Sequence, residues 1–269
     1  MIRNPVVAGM FYPGSTSALR QKISELVDEG VTKEDVVGLV SPHAGYMYSG
    51  TVAGAVISRV VIKDTFVIMG PNHTGMGQPF SIMTEGVWKT PLGDVEIDTE
   101  LASAILEAAP SLEEDYIAHL EEHSIEVQIP FLQYFKQDVR IVPIVLAKGT
   151  GDIYKEIGSG IAEACREQRR EAVVMASSDM NHYEPHHIAN EKDGKAIEAI
   201  LAMEEDELLK RVAEFHISMC GYGPTVALLS ACKEMSATVA ELVSHQTSGD
   251  VTGDHHSVVG YAGILIKRR

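Results

Sequence analysis

Four short apolar stretches, rich in Val and Ile, punctuate the chain: Val36–Val40, Thr65–Met69, Val139–Val145 and Ala172–Ala176. None alternates apolar with polar residues, so each predicts a strand buried on both faces, as in a sheet covered by helices. Between them the period changes. Thr51–Val61 follows Ser49 and Thr99–Ala109 follows Asp98, both cap-forming residues, while Ile153–Arg169 is amphipathic at helical spacing. Strand and helix in alternation predict an α/β layered fold with a mostly parallel central sheet flanked by helices.

Two segments depart from that alternation. Phe80–Ile97 holds turn chemistry at Pro91-Leu92-Gly93-Asp94 between extended runs and predicts a β excursion or hairpin. Ala237–Ile266 predicts a strand, a loop on Thr247–Asp254, and a final strand from Ser257. With no internal repeat, low-complexity tract or linker-like shift in composition, residues 1–269 read as one domain.

Charge narrows the possible partners. Asp and Glu total 38 against 22 Lys and Arg, a net charge of −16, and the longest basic cluster is the terminal Lys267-Arg268-Arg269. Such a chain repels phosphate backbones, so nucleic acid is not expected as a partner. No apolar run approaches the roughly 18 residues needed to cross a bilayer, and Pro13 and Gly14 interrupt the start of the chain, so neither membrane nor secretion is expected. Three cysteines without CxxC spacing suggest neither a disulfide framework nor a zinc knuckle, and a reducing cytoplasm is the expected compartment.

The chemistry concentrates where strands end. Val36–Val40 runs into Ser41-Pro42-His43-Ala44-Gly45, Thr65–Met69 into Gly70-Pro71-Asn72-His73, and Ala172–Ala176 into Ser177-Ser178-Asp179-Met180-Asn181-His182. In open α/β sheets ligands bind beyond the carboxyl ends of the strands, so His43, His73 and His182 are expected to share a site. In Glu121-Glu122-His123-Ser124-Ile125-Glu126, Ser124 can cap a following helix, with His123 and Glu126 bracketing its start as candidate acid–base groups. Glu121 and Glu122 read as a solvated acidic turn. Cys220 precedes an apolar helix, Thr225–Met235, and a thiol at a helix N-terminus has a lowered pKa that suits a thiolate ligand or nucleophile. Cys165 and Cys232 read as core fillers.

Taken together these words resemble the Memo family, named for the mediator of cell motility. The resemblance rests on Pro5-Val6-Val7-Ala8-Gly9-Met10-Phe11-Tyr12-Pro13, Pro42-His43-Ala44-Gly45-Tyr46, Gly70-Pro71-Asn72-His73, Glu122-His123-Ser124-Ile125-Glu126, Ser177-Ser178-Asp179 with His182, Cys220-Gly221 and Ser248–Tyr261, in collinear order. It implies a single α/β domain similar to class III extradiol dioxygenases. It also implies a pocket in which His43, His73 and Cys220 hold iron or copper, with His182 nearby. The family's microbial genes often adjoin those of radical-SAM and AMMECR-type proteins, which implies a functional link to both.

Those dioxygenases use two histidines and a carboxylate, whereas here a thiolate would replace the carboxylate and shift the preference to softer ions. Glu126 or Asp179 could restore a carboxylate. The leading expectation is metal-dependent redox or oxygenase-type chemistry on an unknown small molecule, with His182, His123, Glu126 and Asp179 as catalytic groups. Two others compete: a peptide- or phosphopeptide-binding module that keeps a dioxygenase-like pocket, and a Cys–His hydrolase built on Cys220, His182 and Asp179.

Overall fold

The computed structural model describes every residue from Met1 to Arg269. Twelve strands form two sheets: β1 (Ile2–Arg3), β2 (Gly38–Ser41), β3 (Thr65–Pro71), β4 (Phe80–Ile82), β5 (Val87–Thr90), β6 (Gly93–Glu96), β7 (Glu113–Glu114), β8 (Arg140–Leu146), β9 (Ala172–Ser177), β10 (His182–Glu184), β11 (Val239–Thr247) and β12 (Val258–Lys267). The helices are α1 (Thr16–Leu26), α2 (Tyr46–Ser58), α3 (Thr99–Ala108), α4 (Ile117–Leu120), α5 (Ile129–Phe135), α6 (Gly151–Glu167), α7 (His186–Leu201), α8 (Glu205–Glu214), α9 (Tyr222–Glu234) and α10 (Ser248–Thr252).

The four apolar stretches form the centre of the larger sheet. In the order β2-β9-β3-β8 they pair in parallel, and all seven residues of β3 are buried. Burying Phe66, Val67, Ile68 and Met69 completely contributes about 1.5–3 kcal/mol for each side chain. Antiparallel strands extend this centre on both sides: β12 joins β2 and carries β10 and β11, while β4 joins β8 and carries β7 in parallel. The expected hairpin in Phe80–Ile97 is β5–β6, which pairs with β1 in a separate three-stranded sheet, whereas β4 belongs to the large one. Helix α9 lies against β2, β3 and β9, α6 packs against both α9 and α3, α3 reaches β8, and α2 lies against β2, β11 and β12. One cluster of 70 buried apolar residues runs from Val7 to Ile266.

Most expected helices appear with shifted ends. Asp98 caps α3 by accepting from Leu101 N, and Thr150 caps α6 by accepting from Ile153 N. Ser49 is not a cap. Helix α2 starts at Tyr46, and Ser49 lies inside it with its hydroxyl donating to Ala44 O. The loop expected on Thr247–Asp254 instead contains α10, closed by a capping box between Thr247 and Asp250. No helix is long and apolar enough to cross a membrane.

Candidate metal centre

Three adjacent parallel strands bring the site together. Because β9 lies between β2 and β3, the turns beyond Ser41, Ser177 and Pro71 emerge side by side at the carboxyl edge and deliver His43, Asp179 and His73. The loop carrying His123 presses against the same edge. Gly70 permits this, since a Cβ there would lie 2.2 Å from Ser124 Oγ. Cys220 enters from the start of α9, where a Cβ on Gly221 would lie 2.5 Å from that of Ser178.

The result is a triad of imidazoles. Ring centroids of His43, His73 and His123 are 4.9–5.5 Å apart, with His73 and His123 stacked at 17°. One nitrogen from each lies within 4.8 Å of the other two. His123, expected to handle protons, therefore belongs with His43 and His73. Cys220 meets this set through His43, its Sγ 3.4 Å from Nε2. It is not one of the mutually close donors.

Hydrogen bonds fix which ring nitrogens face inward. The Ser177 hydroxyl donates to Ser124 O at 2.7 Å, so it accepts from Gln128 Nε2 at 2.8 Å and from His43 Nδ1 at 3.0 Å. That assignment leaves Nε2 of His43 as the acceptor, its lone pair turned toward Cys220 Sγ. Glu122 does the same for His73. Its Oε1 lies 3.0 Å from Nδ1, and its Oε2 accepts from the His73 backbone at 2.7 Å. The same carboxylate is 3.6 Å from Nδ1 of His123.

Glu122 is thus not a solvated turn residue but is fully buried. Burial alone would raise its pKa, yet bonds and charges from His73, the Ser124 amide and His123 outweigh that and hold it at about 2. A buried carboxylate behind a histidine fixes the ring and raises its basicity as a ligand. His73 is affected by burial, which lowers its pKa, but Glu122 prevails and raises it. His43 and His123 are pushed down mainly by burial, which keeps both neutral and able to coordinate.

Other expected site residues fare differently. Asp179 is buried on the wall of a cavity of about 900 Å³, its Oδ1 accepting from the amides of His43 and Ala44 at 2.8 and 3.3 Å. Burial raises its pKa. His182 lines the same cavity, and Nδ1 donates to Ser218 O at 2.8 Å, leaving Nε2 as an acceptor. Glu126 does not line it. Its carboxylate is spent on Arg3 (a buried ion pair), the amides of Val6 and Val7 at 2.9 and 3.1 Å, and Tyr12 Oη at 2.5 Å. It pins the N-terminal segment and is no acid–base group of the site.

Ser124 is no side-chain cap either, since a 3₁₀ turn at Glu126–Gln128 leads into α5 and the Ser124 hydroxyl points to Pro71 O. Burial pushes the Cys220 thiol pKa up, overriding any lowering by the helix dipole. Its imidazole neighbour is His43, not His182, which removes the geometry of the expected hydrolase. A second cavity of about 650 Å³ backs onto the same wall, sharing His73, Ser218 and Cys220.

A family model described as Memo-like protein matches residues 3–265. The chain belongs to the Memo family. A MEMO1 family protein of Methanococcoides burtonii is 48% identical over 268 residues, covering 99% of this chain and all of its own. One from Methanopyrus kandleri is 43% identical over 282 residues with both chains fully covered. Among solved structures, an uncharacterised protein of Escherichia coli K12 is similar in fold, with a TM-score of 0.57 at 14% identity over 85% of this chain and 98% of its own. The mixed α/β fold is the dioxygenase-like one of the Memo family.

Proposed function

We propose that His43, His73 and His123 hold a redox-active transition metal, iron or copper, with Cys220 beside them as a sulfur donor, and that the protein carries out metal-dependent redox or oxygenase-type chemistry on a small organic molecule. The observation that carries this reading is the convergence of three imidazole nitrogens within 4.8 Å. Two of the rings have Nδ1 committed to Ser177 and Glu122, which suits coordination through Nε2. Neutral imidazole suits iron and copper alike, and a neighbouring thiolate favours the softer states of both.

When bound, such an ion supplies electron transfer and Lewis-acid polarisation of a substrate oxygen. The protein's own groups do the rest. His182 presents Nε2 to the cavity as a proton acceptor, and Asp179 supplies a second acceptor through Oδ2. Phe11, Tyr48 and Tyr261 line the cavity and exclude water from one face of a bound ring. A phosphopeptide-binding module is less well supported, because no Lys or Arg lines the cavity to pair with phosphate.

Elemental analysis of protein purified without added metal tests the reading. Iron or copper near one equivalent is expected in the wild type and a loss of most of it in His43→Ala and His123→Ala. Equal, negligible metal in all three, persisting after anaerobic loading, would overturn it.

A further inference from the structure

The cavity beside the imidazoles is unusual in its charge. Of its nineteen lining residues none is Lys or Arg, while Asp179 and Asp254 both face it. Lys148 belongs to the second cavity instead. Asp179 is 95% buried by its 5% exposure, yet only Oδ1 is engaged by protein donors. Oδ2 has no protein partner and is not among the side-chain atoms sealed from solvent, so it opens onto the cavity. Four aromatic residues line the same cavity: Phe11, Tyr48, Tyr261 and Tyr183, the last 78% exposed with a left-handed backbone at φ 60°.

We propose that this cavity takes a small organic cation, an arylalkyl ammonium, its ring among these aromatic side chains and its ammonium donating to the free oxygen of Asp179, with Asp254 at the mouth favouring its approach. The inference names a substrate class for the site proposed above and rests on that reading only for where the reacting end would lie. A buried carboxylate oxygen without a donor is poorly solvated and gains most from a charged one. Aromatic faces add cation–π attraction for an ammonium and none for a carboxylate. A divalent ion would not reverse the preference. The buried Glu122 carboxylate would offset part of its charge, and Cys220, were it to ligate as thiolate, would offset the rest. The net charge of −16 then acts in the same direction on any ligand approaching from solvent.

Three probes of similar size separate charge from fit: 4-hydroxyphenethylamine (cationic), 4-propylphenol (neutral) and 4-hydroxyphenylacetate (anionic). Isothermal titration is run on the protein as purified and after chelation, with metal content measured on the same samples. The amine is expected to bind about 10-fold more tightly than the phenol in both preparations, the range of one charge-assisted hydrogen bond, and the carboxylate more weakly still. Asp254→Lys is expected to weaken amine binding about 3- to 5-fold and strengthen the carboxylate. Asp138→Lys makes the same charge change on the exposed turn before β8 and is expected to alter neither by more than about 2-fold. Carboxylate binding equal to that of the amine, no binding of any probe, or equal effects of the two lysine variants would overturn the proposal. An inverted charge order in protein that holds metal contradicts this inference alone, whereas the expected order in protein that never holds metal contradicts the metal reading alone.

Discussion

Oε1 of Glu122 lies 3.0 Å from Nδ1 of His73, and the carboxylate is fully buried, so one imidazole of the triad is held by a charge that has no access to water. The same oxygen accepts from the Ser124 amide at 2.9 Å. Glu122 thereby sets both the direction of His73 and the path of the loop that carries His123. Replacing it with glutamine keeps the shape but removes the charge. Glu122→Gln is expected to weaken metal binding about 10- to 100-fold, measured by competition with a chelator of known affinity. Unchanged affinity would mean that the carboxylate serves packing alone.

Acid should destabilise the fold earlier than its carboxylates alone would dictate. Burial holds His119 at about 3, with Nε2 on Ser81 and Nδ1 unpartnered. The folded state then binds fewer protons than the unfolded one below the ordinary histidine pKa. Stability from this source is complete above about pH 6.5 and is lost as the pH falls toward 3, about 2 kcal/mol being gone at pH 5. His43 acts in the same direction, and Glu122, held at about 2, adds a further loss below its unfolded value near 4.5. His73, raised by Glu122, works the other way, its share present in acid and lost as the pH rises past its folded value. Urea midpoints from pH 8 to 4 are expected to fall from about pH 6.5 downward, and the fall should be shallower in His119→Gln. A flat profile down to pH 5 would contradict this balance.

Glu126 offers a contrast between stability and binding. Its partner Arg3 is as buried as it is, and removing one side of such a pair costs about 3–5 kcal/mol because the other charge is left uncompensated. Glu126→Gln should lower the melting temperature sharply while leaving metal content per folded molecule unchanged. Loss of metal in protein that is still folded would return Glu126 to the site.

Cys220 should be a slow thiol. With its pKa raised by burial, little thiolate exists at neutral pH in metal-free protein. Its alkylation by iodoacetamide at pH 7.5 is expected to be at least about 10-fold slower than that of free cysteine. A rate matching or exceeding free cysteine would show that the helix N-terminus governs the thiol after all.

Much of this architecture was legible in the sequence, and the parts that were not share a cause. The central strands announce themselves because burial on both faces demands unbroken apolar runs, and His43 and His73 follow directly from where two of them stop. Asp179 and His182 follow in the same way from a third. His123 is harder to read, since its place depends on the absence of a side chain at Gly70, on a different element. Glu122 stands next to exposed Glu121, and nothing local says which of the two turns inward. Glu126 is drawn away by Arg3, 123 residues upstream, a pairing no spacing rule reveals. The antiparallel strands beside the parallel centre are likewise set by long-range pairing, β12 with β2 at one side and β4 with β8 at the other. Local pattern reports burial and turns; it is silent on which polar side chains meet from afar.

X-ray absorption at the metal edge of iron- or copper-loaded protein tests the proposed centre most directly. Expected is a nitrogen shell with imidazole multiple scattering that diminishes in His123→Ala, together with a sulfur contribution that vanishes in Cys220→Ser. A spectrum of oxygen donors alone, indifferent to both substitutions, would contradict it.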